Sequence, residues 1–110
     1  MKELKTAQEI ERFLFVFKEL QKLSRQIHKI DERQCNGYPD FKGNWDEKKE
    51  KKDEKRQIKL LKRADEIAKE FDLRAYHQSD PRGYSLYLVE ESEFIKGSNC
   101  DHNRTGIEVK

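Results

Sequence analysis

Four side chains in this sequence, Cys35, His77, Cys100 and His102, are of the types that ligate a transition metal or pair a nucleophile with a base. Cys100-Asp101-His102 sets two of them one residue apart. Attack by a thiolate needs an imidazole within hydrogen-bond reach and a third group to orient it, and only folding can bring Cys35 to His77. A zinc site is marked in sequence by CxxC or HxxxH spacing, and neither is present. Ordinary loop positions explain these residues better, so no metal and no cofactor is expected and the chain reads as a non-enzyme. A metal- or thiol-dependent enzyme built on the same four residues is the remaining alternative.

Recognition chemistry concentrates in 73–89, LRAYHQSDPRGYSLYLV. Asp80-Pro81-Arg82-Gly83 has the composition of a type I turn: Asp at the first position, Pro fixing φ at the second, Gly at the fourth. The runs on either side can be strands, so the stretch predicts a β-hairpin whose tip presents Tyr76, His77, Gln78, Asp80 and Arg82. Asp, Pro and Gly serve the turn itself. Arg82 is not required by it, and its guanidinium fork suits a phosphate or a carboxylate. The loop 35–44, CNGYPDFKGN, adds a second candidate surface through Asn36 and Tyr38, with Trp45 directly after it. Tyr76, Tyr84, Tyr87 and Trp45 could stack on bases, although aromatic side chains on a small sheet more often fill core. Trp45 is expected to plug the loop against the hairpin or the first helix.

Two helices must position these groups. Thr6 and Glu9 have the spacing of a capping box, and from there Phe13, Val16, Leu20, Leu23, Ile27 and Ile30 recur at intervals of three and four, the stripe of a helix over about 6–34. Phe13-Leu14-Phe15-Val16-Phe17 is apolar all round that helix. Either the β element closes over its second side or another copy of the chain does, so a homo-oligomer through Phe13, Phe15 and Phe17 is expected. Asn44, three residues before Glu47, predicts the N-cap of a second helix over about 45–72. Its first part, 47–57, has no apolar residue for eleven positions and either projects into solvent or fails to stay helical. Ile58, Leu61, Ala64, Ile67, Ala68 and Phe71 then restore a stripe that packs on the first helix. An end at Phe71 or Asp72 is expected, because Asp tolerates the left-handed conformation of a C-terminal cap. The hairpin over 73–89 follows, then a loop and a short edge strand within 90–110. This order predicts an α+β fold, an antiparallel helical hairpin packed on a small antiparallel sheet of two to three strands, in one domain over 1–110.

Charged residues make up 42% of the chain and hydrophobic ones 34%, close to the composition of disordered chains, but the apolar residues are clustered, which favours folded helices. The 24 Lys plus Arg and 22 Asp plus Glu leave a net charge of only +2. The lysine run from Lys48 to Arg56 is interleaved with Glu47, Glu50, Asp53 and Glu54, which predicts a solvated face of little net field rather than a nucleic-acid patch. The opening MKELKTAQEIER lacks the pattern of a secretory signal and no run of about 18 apolar residues exists, so a cytoplasmic location and no membrane contact are expected. In that compartment the two cysteines stay as thiols.

CNGYPDFKGNWDEK at 35–48 and LRAYHQSDPRGYSLYL at 73–88 together resemble a family of small uncharacterised phage and prophage proteins. In that family too, a CNG-type loop leads through an NWDE-like helix entry and a charged helix to a YHQxDPRGxxLYL-like hairpin. Its closing N-x-x-G strand is similar to 103–109. The resemblance runs over about 30–109, and residues 1–29 have no counterpart in it. It implies a phage setting in the host cytoplasm, and there an accessory protein that binds a host protein or complex, such as an inhibitor of a bacterial defence system of the anti-CRISPR type. The hairpin tip and the 36–45 loop would form the contact surface. The alternative is a nucleic-acid or nucleotide-binding module, with Arg82 and the lysine-rich helix on phosphate and Tyr76 or Trp45 on a base.

Overall fold

Thr6 opens the first helix, α1 (Ala7–Asn36): its Oγ1 accepts from the Glu9 N–H at 3.2 Å and donates to the Glu9 carboxylate, so Thr6 and Glu9 pair at the helix start as their spacing predicts. The computed structural model describes residues 1–40, 42–80, 83–94 and 106–110, without the side chains of 79, 80, 83 and 84. Gly37, at φ 84°, closes α1 by donating its N–H to the Arg33 carbonyl, a backbone conformation that favours glycine. The helix therefore takes in Cys35 and Asn36, which the sequence reading left in the loop.

The second helix, α2 (Glu47–Ala68), is capped by Asp46, whose side chain accepts from the Lys49 N–H, and not by Asn44. Asn44 is engaged earlier in the loop. The Asp40 carboxylate accepts from both the Lys42 and Asn44 N–H groups, and the Asn44 carbonyl accepts from the Asp40 N–H at 2.6 Å. The lysine-rich half of α2 is helical from Glu47 onward. After a single 3-10 turn, Lys69–Phe71, Asp72 adopts the left-handed conformation at φ 57° and turns the chain into the sheet, as its side-chain type predicts.

Strands β1 (Leu73–Asp80) and β2 (Gly83–Glu90) pair antiparallel from Leu73↔Glu90 to Asp80↔Gly83, and β3 (Ile107–Glu108) adds to the far edge of β2 in the order β1-β2-β3. The fold is α+β, a helical hairpin packed on a small antiparallel sheet of three strands. α2 lies along β1 and α1 along β2. Alternation along the strands sends Leu73 and Ala75 of β1 and Leu86 and Leu88 of β2 to the helices, where they meet Val16, Leu20 and Ile27 of α1 and the small Ala64 and Ala68 of α2. Ile27, Ala64 and Leu86 are fully buried, which for a side chain the size of Leu contributes about 1.5–3 kcal/mol. Asp65 of α2 reaches the open edge of β1: its carboxylate grips the Arg74 guanidinium at 2.8 and 2.9 Å and accepts the Ala75 N–H at 3.0 Å. The Phe94 ring covers that guanidinium at 4.1 Å.

The apolar block at 13–17 divides between core and surface. Phe13 meets Phe71 edge-on at 5.1 Å and stacks with Phe17 at 6.1 Å, and Val16 is buried. Leu14 and Phe15 stay 53% and 57% exposed. The 3-10 turn through Phe71 therefore closes over Phe13, and Phe13 and Phe17 pack, partly buried, against the chain's own core. Among the described residues no helix is long and apolar enough to cross a membrane.

Candidate functional site

Where the helical hairpin closes, α1 and α2 meet through polar side chains in place of apolar ones. Asp53 and Gln57, one turn apart on α2, face α1 because they continue the buried stripe of Leu60, Ala64 and Ala68 backward at helical spacing. The Asp53 carboxylate takes the Arg33 guanidinium in a two-point grip at 2.8 Å and accepts from the Tyr38 hydroxyl at 2.8 Å. The hydrogen bond from Arg33 holds the Asp53 carboxyl below its usual range, against the opposing effect of burial. Burial first, then the bond to Asp53, push the Tyr38 phenol up to about 12.

Beside this group lies a second one that reaches the sheet. Asp31, buried at 4% exposure, accepts from Gln57 Nε2 at 2.7 Å on one oxygen and meets His77 Nε2 at 2.9 Å on the other. Gln34 donates to Gln57 at 3.3 Å. The two groups form a seam that ties the loop, both helices and β1 together in one register. Such a seam is costly if any member is lost, because each buried polar group then stands without its partner.

Trp45 sits on the outside of this seam. Its ring meets Tyr38 edge-on at 5.9 Å, its Nε1 donates to Glu50 of α2, and Pro39 and Trp45 pair as an isolated β-bridge. A Cβ at Gly37 would lie 2.9 Å from the Trp45 ring, so only glycine admits the ring this close. The indole is nevertheless 55% exposed. It packs on Tyr38, on α2 and on Gly37 at the end of α1.

The hairpin residues expected at the tip are placed otherwise. Tyr76 is 5% exposed, stacked on Tyr87 at 5.9 Å, with its hydroxyl against Gly106, where a Cβ would stand 1.8 Å from it. Burial, then the neighbouring Tyr87, raise that phenol's pKa. His77 turns to Asp31, and Gln78 is half-buried, its Oε1 without a hydrogen-bond partner among the described residues. Tyr76, His77 and Gln78 are therefore interior or seam residues and do not form a presented surface. The Asp80 backbone pairs with Gly83. The side chains of Asp80 and Tyr84, together with Pro81, Arg82, Cys100 and His102, lie outside the described residues. Of the loop candidates, Asn36 is exposed at the end of α1, Tyr38 is buried in the seam, and Trp45 remains at the surface.

Asp31 and His77 share the arrangement of an orienting carboxylate on an imidazole. Cys35, however, is exposed on α1, and His77 Nε2 is directed at Asp31. Among the described residues no three His, Cys, Asp or Glu side chains converge as a metal site would need. An open groove of about 510 Å³ between α1 and the β3 end carries both signs, Arg25 and Lys29 against Glu32 and Glu108, and Ser24 within it already donates to the Val109 carbonyl at 2.8 Å. Comparison of the chain with protein-family models, with curated proteins and with solved structures finds no match.

Proposed function

We propose that the chain is a non-enzymatic accessory protein of phage origin that acts in the host cytoplasm by binding a host protein, as an inhibitor of a bacterial defence system. The phage setting rests on the resemblance carried by the 35–48 and 73–88 blocks. The binding role rests on Trp45, a large aromatic side chain locked by Tyr38, Gly37 and Glu50 while more than half of it faces solvent. A rigid exposed indole loses little side-chain freedom on contact, and fixed aromatic anchors carry a large share of the energy in protein interfaces. The contact surface is thereby the loop end of the helical hairpin, with Asn36 at its margin.

The test is a host protein captured from lysate after nuclease treatment, whose affinity is then measured against wild type and Trp45→Ala. An anchor worth about 2 kcal/mol weakens binding about 30-fold. Equal affinity with an intact helical circular-dichroism signal would remove the loop end as the contact surface. Self-association would use Leu14 and Phe15, which Glu11 and Lys18 flank on the open face of α1. In an antiparallel pairing of two α1 helices, Leu14 of one meets Phe15 of the other and Glu11 meets Lys18.

A further inference from the structure

Several acids of α2 are drawn away from the lysine face. Asp53 is engaged by Arg33 and Tyr38, Glu50 by Trp45, and Asp65 by Arg74 and the Ala75 N–H, all on the inner side of α2 or its flank. What remains outward is a row of exposed lysines: Lys48, Lys51, Lys52, Lys55, Lys59 and Lys62. At about 3.6 residues per turn they fall within an arc of about 100°, and at about 1.5 Å per residue the row is about 21 Å long. Among the described residues none of these six has an ion-pair partner within 4.0 Å. The exposed acids of α2 are Glu47, Glu54 and Glu66. Helical spacing puts Glu47 and Glu54 about 40–60° beyond Lys51, at one edge of the arc, and Glu66 ends the row. The near-neutral composition of the chain therefore hides a basic ridge, because folding engages Glu50, Asp53 and Asp65 away from it and leaves Glu47 and Glu54 at its margin.

We propose that this outward ridge of α2 binds the phosphate backbone of a nucleic-acid duplex. A straight row of cations about 21 Å long lies opposite about 12 phosphate charges of B-form DNA over the same axial length. The row carries no aromatic side chain on which an unpaired base could stack, so its complementarity is to a duplex backbone, without sequence preference. This surface is separate from the Trp45 contact and does not depend on it.

The experiment is fluorescence anisotropy of a labelled mixed-sequence duplex, as DNA and as RNA, titrated with the full chain at about 50 mM and about 200 mM salt. Neutralising about four phosphates gives a slope of about −3.6 in log affinity against log salt, which is about a 150-fold loss across that fourfold change. Lys51, Lys52, Lys55 and Lys59 changed together to Gln, a residue of similar helix propensity, is expected to abolish most of the affinity and flatten the slope while the circular-dichroism spectrum stays unchanged. The control Arg25→Gln/Lys29→Gln on α1 is expected to keep the wild-type slope. The proposal is overturned by absence of duplex binding at the lower salt, by a quadruple variant with the wild-type slope, or by a control that loses as much. Binding to anionic lipid vesicles or to an acidic protein with no binding to either duplex overturns it as well.

Discussion

Asp31→Ala removes the one carboxylate that joins all three layers of the seam, and its cost follows from the geometry. Gln57 Nε2 at 2.7 Å and His77 Nε2 at 2.9 Å both lose their partner, and Asp31 is buried at 4% exposure. A hydrogen bond to a charged group contributes about 1.5–3 kcal/mol, so two lost together would cost about 3–6 kcal/mol if nothing replaced them. The His77 side chain retains 17% of its exposure, so water can reach it, which places the expected loss at the lower end, about 3 kcal/mol. That is a large fraction of the about 5–15 kcal/mol that holds a domain together. In urea unfolding, with a slope of about 1.5 kcal/mol per molar, the midpoint should fall by about 2 M. Glu32→Ala, one position along but exposed, should change stability by less than about 0.5 kcal/mol. The double variant Asp31→Ala/His77→Ala should show a coupling of at least about 1 kcal/mol. A loss below about 1 kcal/mol for Asp31→Ala, or no coupling to His77, would refute the account of the seam as the element that sets the helix–helix–sheet register.

The remaining predictions concern acid sensitivity and self-association. Because Arg33 holds the folded-state pKa of Asp53 below its unfolded value, the pair stabilises the fold above the ordinary carboxylate range, and that stabilisation is lost as pH falls through the folded value. Asp53→Asn should therefore lower stability near neutrality and flatten its decline below about pH 4; an acid limb of unchanged steepness in a pH series of urea midpoints would contradict this. Phe15→Glu, at a position already 57% exposed, should leave stability within about 0.5 kcal/mol but abolish concentration-dependent mass in sedimentation equilibrium. A wild-type chain that sediments as a monomer at every concentration would rule out the α1 pairing.

The elements were readable wherever a local rule operates alone. Thr6 and Glu9 start α1, Asp72 takes the left-handed turn, and the runs around 80–83 pair as a hairpin, because each depends on neighbours within a few residues. Asn44 misled because Asp40 competes for the same backbone, drawing the Asn44 N–H and carbonyl into the loop and leaving the cap to Asp46. The seam was hidden for a different reason. Asp31 follows Ile27 by one turn, and Asp53 and Gln57 extend the line of Leu60, Ala64 and Ala68, so their spacing marks an inward face although their types do not. A reading by hydropathy treats 47–57 as solvated, whereas a reading by spacing alone would have asked what Asp53 and Gln57 meet. The placement of Tyr76 could not be read locally, since its cover includes Gly106, thirty positions on.

The contact of Asp65 with Ala75 bears on how the chain behaves when crowded with copies of itself. A strand at the end of a sheet offers unpaired N–H and carbonyl groups to any other extended chain, the route by which small sheets stack into aggregates. On β1 one such donor is already occupied by a carboxylate from the chain's own helix, and the same carboxylate fixes a guanidinium under an aromatic lid. An incoming strand would have to displace an ion pair and uncover a charge to gain the backbone bond at Ala75. The exposed margin of this sheet is in that sense chemically guarded at Ala75, which raises the cost of pairing between copies at that point of the strand.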